Sequence, residues 1–252
     1  MIKTGFLKKE IKELVKTPKL IVIASLFVFF AILSPLGAKY INEILSAVGG
    51  GIEIKFPEPV LLDAWIQFFK NNNSIGMIVF LIMTTGTVVS EKTKGSVMMV
   101  LSKNVSRAEF ILCKTAAAIL LFTVGYILAA LVCAYYTSIL FAGQDSGGLL
   151  SALCLFWLLG VFYAALAVFS SVVAKTPTTA AIIGIAGYAA FNIPLAIPGT
   201  AKYTPASLSA VGTGLISGTM ESAEILITVL ITAALCALFV LSSVYIFRRQ
   251  EI

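Results

Sequence analysis

Six predominantly apolar stretches, at residues 20–36, 75–90, 115–141, 149–173, 179–197 and 225–247, constrain this chain more than any other feature. Crossing a hydrocarbon core of about 30 Å takes around 20 apolar residues as helix. Inside that core every backbone N–H and C=O has to find its partner within the protein. All six stretches qualify or nearly qualify. The second is short, and gains length only if residues 65–69 join it across Asn71-Asn72-Asn73, with those amides facing protein or water. The fifth is rich in Gly and Ala and ends in Ile193-Pro194, so its outer end is expected to bend or break. Its small residues Ala180, Ala181, Gly184 and Gly187 permit close helix approach, either within the subunit or between subunits.

Composition agrees. The chain is 59% hydrophobic and 12% charged, against about 25% charged in an ordinary soluble domain, and its mean hydropathy is +1.01. An ordinary cytosolic enzyme and a disordered chain are both excluded. The first stretch has the basic flank of a signal peptide, but no clear small-residue cleavage site follows it and five more spans do, so it reads as an uncleaved first span. The expectation is an all-α membrane protein with six transmembrane helices, residues 1–252 forming one domain.

Positive charge orients it. Lys3, Lys8, Lys9, Lys12, Lys16, Lys19, Lys92, Lys94, Lys103, Arg107, Lys114, Lys175, Arg248 and Arg249 fall on one side, while Lys39, Lys55, Lys70 and Lys202 fall on the other. Basic residues accumulate on the cytoplasmic side, so both termini are expected in the cytoplasm, of a cell membrane and specifically a prokaryotic plasma membrane. The same asymmetry accounts for the pI near 9.1 through anionic headgroups and cytoplasmic partners, and no nucleic acid is needed to explain it.

The soluble segments are small. Residues 2–16 place Leu7, Ile11, Leu14 and Val15 on one helical face, with Lys8, Lys9, Lys12, Glu13 and Lys16 around the rest, the pattern of an amphipathic interfacial helix. Residues 37–74 and 198–224 read as outer loops. Residues 91–109 form the first internal loop. The four cysteines, Cys113, Cys133, Cys154 and Cys236, contain no CxxC pair and read as small buried hydrophobes.

Several chemistries are missing. Histidine is absent, which removes the usual proton carrier and the commonest metal ligand. No GxxxxGK[ST] nucleotide loop occurs, and Ser170-Ser171 has no base beside it and reads as helix packing. None of the 12 acidic residues lies within the six stretches, whereas ion-coupled carriers usually bury such groups. Thr84, Thr85, Thr87 and Asn192 are the candidates for a polar translocation path or a hydroxyl-based sodium site. Catalytic, cofactor-binding and metal-binding residues are not expected.

The first internal loop carries the most information. Its apolar residues Val97, Val100 and Leu101 recur at i, i+3 and i+4, and Ser106-Arg107-Ala108-Glu109 forms a capping box that starts the next helix before the bilayer. Residues alone support equally a lever beneath the membrane and a plain interfacial helix.

Glu91, Gly95, the apolar run, Ser106-Arg107 and Lys114 resemble the first intracellular loop of ABC transporter permeases of the type 2 exporter superfamily. Asn104 stands where that family commonly has proline. Lys8–Leu14 is similar to its N-terminal interfacial helix, and Tyr203-Thr204-Pro205 to the Ser/Thr-Pro element between its fifth and sixth spans. The resemblance implies the membrane subunit of an ATP-driven exporter without its own ATPase. It implies a second copy or a homologous permease subunit, and separate ABC-type ATPase subunits that bind ATP and Mg. The ATPase would be contacted through Glu91, Gly95, Ser96, Val97, Met98, Val100, Leu101, Ser106 and Arg107. In that scheme Val97, Met98, Val100 and Leu101 supply apolar contacts, Gly95 permits close approach, and Glu91 and Arg107 anchor the ends. The alternatives are a non-transporting assembly or sensor protein and, less favoured by the missing carboxylates, an ion-gradient-driven carrier.

Overall fold

The computed structural model describes residues 4–48, 58–102, 105–142, 147–197, 200, 203–210, 214 and 222–250. Asn104 and much of 198–224 lie outside these. Among the described residues there are helices and turns and no strands.

Helix α1 (Thr4–Lys16) leads through Pro18 into α2 (Lys19–Lys39), the first span, and a short α3 (Ile41–Val48) follows. The second span is longer than its apolar stretch. Helix α4 (Leu61–Asn71), a π-helical turn at Asn72–Gly76 and α5 (Met77–Thr85) run on into α6 (Val89–Thr93), giving a candidate span over Leu61–Thr93. Residues 61–74 therefore belong to a helix rather than to the expected outer loop. Three amides that look too polar for a span place their NH2 groups on protein acceptors, while the side-chain oxygens of Asn72 and Asn73 are buried without one. Asn71 donates to Ser34 Oγ at 3.1 Å, Asn72 donates to its own helix at Phe68 O, and Asn73 donates to Ser209 Oγ at 3.5 Å while its backbone carbonyl accepts from the Tyr188 hydroxyl at 2.9 Å. Gly76, in the π turn, sits so close to Phe27 that an added Cβ would lie 2.9 Å from the ring.

Helix α7 (Ser96–Leu101) precedes α8 (Arg107–Leu140), the third span. At 34 residues and 1.5 Å rise per residue it is about 50 Å long, so it extends beyond the hydrocarbon core. Helices α9 (Leu149–Val173) and α10 (Pro177–Asn192) follow; α10 continues as a 3₁₀ turn at Ile193–Ala196, the expected break at Pro194. The last helix, α11 (Ser222–Arg249), contains the sixth candidate span.

The bundle is organised around α8, which packs on α2, α9 and α11. Glycines set the closest approaches. An added Cβ on Gly160 of α9 would stand 1.9 Å from Phe122 of α8, and Gly125 of α8 lies against Ile23 and Ala24 of α2. Phe122 is the hub of an aromatic core, stacked on Tyr126 and edge-on to Phe27 and Phe80. The small residues of α10 pack within the subunit: Gly184 faces Thr85 and Gly187 faces Leu166, while Ala180 is fully buried. Cys113 and Cys133 are buried as expected, whereas Cys154 is exposed on the outer surface of α9. Thr204-Pro205 starts a buried 3₁₀ turn, Pro205–Ser207, with the Thr204 hydroxyl donating to Phe191 O.

Candidate functional site

The first internal loop, α1 and the C-terminal ends of α9 and α11 meet at one end of the bundle, the end where most of the basic residues lie. The second span stops being regular at Gly86–Val88, which frees backbone donors. Ser171 of α9 takes up two of them, accepting from Val88 N at 2.9 Å and Val89 N at 3.0 Å. Helix α6 then restarts and carries Glu91. Gly95 turns the chain into α7 with φ of +70°, a left-handed conformation that costs any residue with a Cβ. Nothing lies within 4 Å of where that Cβ would be, so backbone conformation, and no crowding by a neighbour, is what requires glycine here.

Helix α7 presents two faces. Val97 is fully buried in the protein's own core, with Val100 and Leu101 packed against that core. Met98 and Met99 are 60% and 67% exposed. Four apolar residues were expected to face a partner, but the short helix needs Val97 to hold itself against the bundle. The outward apolar pair is Met98, which was expected, with Met99, which was not. Ser96 is half-buried, its hydroxyl turned back to Glu91 O. The capping box forms as expected, with Glu109 N donating to Ser106 Oγ at 3.1 Å and Ser106 N to the Glu109 carboxylate at 2.9 Å.

Glu91 is turned onto its own chain. Its Oε1 lies 2.7 Å from the Lys114 ammonium, which is also 2.8 Å from Glu10 Oε2. Lys9 sits against the same carboxylates at 3.2 Å from Glu10 and 3.4 Å from both Glu13 and Glu91. Burial opposes the charge on Lys9, but Glu10, Glu91 and Glu13 outweigh it and hold the ammonium above its ordinary pKa. Carboxylate oxygens of Glu10, Glu13 and Glu91 lie within 4.8 Å of one another, a spacing that would suit a cation. Two ammonium groups already bridge them.

Two members of this network are deeply buried. Lys114 lies within α8, as a helix started by the Ser106 capping box ahead of the bilayer requires, and it is 4% exposed. Glu10, to which the wheel of α1 assigned no face, is also 4% exposed. The inward face of α1 is Phe6 and Glu10, flanked by Leu7 and Leu14, and Val15 points outward. Aromatic stacking reinforces the joint. Phe110 of α8 is sandwiched between Phe6 of α1 at 5.6 Å and Phe247 of α11 at 5.3 Å. A cavity of about 310 Å³ beside the ion pairs is lined by Glu10, Lys19, Thr84, Thr87, Glu91 and Lys114.

The four path candidates do not converge. Thr84 and Thr87 line that cavity. Thr85 donates to Ile82 O and faces Gly184 of α10. Asn192 is eight residues further along α10, about 12 Å away by helical rise, where its amide donates to the Tyr163 hydroxyl and to Tyr188 O. A cation site made from all four is not assembled. Three of the hydroxyl and amide groups are spent on partners; Thr84 Oγ1 alone among them is buried with none.

Arg107 anchors the loop, but to its own chain. Its guanidinium donates to Phe247 O, Arg248 O and Gln250 O at the end of α11, at 3.2, 3.0 and 2.6 Å. Sequence spacing offers no signal for this, since 140 residues separate the two ends.

Comparison with known proteins places these features in a family. A sequence model described as "ABC-2 family transporter protein" matches residues 6–252. The chain is also 26% identical over 212 residues to the "Uncharacterized transmembrane protein YxlG" of Bacillus subtilis (strain 168), covering 81% of each chain.

Proposed function

The chain belongs to the ABC-2 transporter family and is a multi-pass membrane component of that class, and from this premise we propose that it is the permease subunit of an ATP-driven exporter. Both termini and the α6–α7 hairpin face the cytoplasm, where separate ABC-type ATPase subunits dock and where ATP and Mg are bound by those subunits. Two permease subunits, identical or related, enclose the path. The observation that carries this reading is the hairpin itself. An apolar pair, Met98 and Met99, stands exposed on a helix whose opposite face is locked into the bundle by Val97. Beside it, Glu91 and Lys114 join the hairpin to α1 and α8 by ion pairs. A surface of this kind takes up a push from a partner and passes it on without folding away.

Co-expression with each ABC-type ATPase of the same genome, any encoded beside the gene first, tests the reading. The chain and one of these ATPases are expected to co-purify in detergent, and ATP hydrolysis by the complex in nanodiscs is expected to differ from that of the ATPase alone. Failure of all of them to bind would favour a non-transporting assembly or sensor protein. Transport that follows an ion gradient without ATP would establish a carrier instead.

A further inference from the structure

The hairpin is fastened at both ends to helices that are distant in sequence. At its first end, Lys92 of α6 donates to Val172 O at 3.0 Å and Ala174 O at 3.5 Å, where α9 ends. At its second end, Arg107 opens α8 and donates to three carbonyls where α11 ends. The last four carbonyls of a helix have no partner within it and carry the negative end of its dipole. A lysine and an arginine are suited to both needs, as charge-assisted donors.

Gln250 joins the two fastenings. Its side-chain oxygen accepts from Lys92 at 2.9 Å, its side-chain amide donates to Val172 O at 3.0 Å, and its backbone oxygen accepts from Arg107. One residue just beyond α11 therefore touches the start of the hairpin, the end of α9 and the start of α8. Phe247, stacked on Phe110, sets the approach of α11 to α8 at the same level.

We propose that Lys92, Arg107 and Gln250 are positioning residues forming a clamp, through which displacement of the hairpin moves the fourth and sixth spans together with the second and third. A loop attached only through its own flanking helices would tilt those two alone. With the clamp closed, the ends of α9 and α11 follow the hairpin. The inference rests on the reading of the hairpin as the motor contact.

Hydrogen–deuterium exchange on the full chain in nanodiscs tests it in two settings, with Lys92→Met, Gln250→Ala and the conservative Lys92→Arg. In the permease alone, Lys92→Met removes three charge-assisted hydrogen bonds and is expected to speed exchange at the last turns of α9 and α11 by at least about tenfold, with Lys92→Arg close to wild type. In complex with the ATPase, ATP and vanadate should change exchange in the hairpin, α9 and α11 of the wild type. Gln250→Ala and Lys92→Met should keep ATPase binding and the hairpin response but lose the response of α9 and α11. Unchanged exchange at both helix ends in the isolated variants, or an α9 and α11 response like that of the wild type in the complex, overturns the clamp. A wild-type chain that binds no ATPase overturns the motor reading instead, and exchange in the isolated permease still decides whether the clamp exists.

Discussion

Replacing Lys114 by methionine probes the joint on which the inner end of the bundle depends. The Lys114 ammonium is 4% exposed and lies 2.8 Å from Glu10 and 2.7 Å from Glu91. Methionine fills a similar volume but leaves two carboxylates without their nearer cation, and neither can reach bulk water freely. Removing one member of a buried ion pair costs about 3–5 kcal/mol. Lys9 remains at 3.2 and 3.4 Å from the same two carboxylates, so the lower end applies, about 3 kcal/mol. For a chain of this size that corresponds to a fall in Tm of about 6–12 °C. Thermal unfolding in detergent, followed through Trp65 and Trp157 fluorescence, measures it. Adding Glu10→Gln and Glu91→Gln to Lys114→Met removes the stranded charges and should recover most of the loss, since neutral replacement of a whole buried pair is often harmless. A fall of less than about 2 °C in Lys114→Met, or a triple variant no more stable than the single one, would refute the reasoning.

Three further outcomes are expected. Gly160→Ala drives a methyl into Phe122 and should destabilise by about 1–3 kcal/mol; combined with Phe122→Leu, the loss in thermal stability should be smaller than the sum of the two single losses. Gly95→Ala meets no neighbouring atom, so it should carry only the left-handed backbone cost of about 1–2 kcal/mol, and Gly95→Asn less in the same thermal assay. Met98→Glu with Met99→Glu alters exposed positions, so monodispersity and Tm should be unchanged while co-purification of the ATPase falls by at least about tenfold, roughly 1.4 kcal/mol of binding.

Much of this architecture is legible in the sequence because hydrophobic runs and caps are local signals. The six spans, the Pro194 break and the Ser106–Glu109 capping box depend on residues within a few positions of one another. What escaped depends on contacts across the fold. Lys114 is legible as a residue of α8, but its burial between Glu10 and Glu91 is not, because those partners come from α1 and α6. Glu10 has no assigned face until α1 is seen packed on α8 with Lys114 opposite. Residues 61–74 look like loop because the NH2 groups of Asn71, Asn72 and Asn73 are taken up by Ser34, Phe68 O and Ser209, acceptors that no pattern announces. Arg107 was expected to anchor the loop, and it does so through the far end of the chain, beyond the reach of any spacing argument.

The central claim is that the α6–α7 hairpin is where a motor protein touches this chain. A photo-crosslinking amino acid in place of Met99, activated in living cells and followed by mass spectrometry of the adducts, tests it most directly. The expected product is a covalent adduct with an ABC-type ATPase, lost when Met98 is changed to Glu. Adducts with lipid and none with an ATPase would contradict the account.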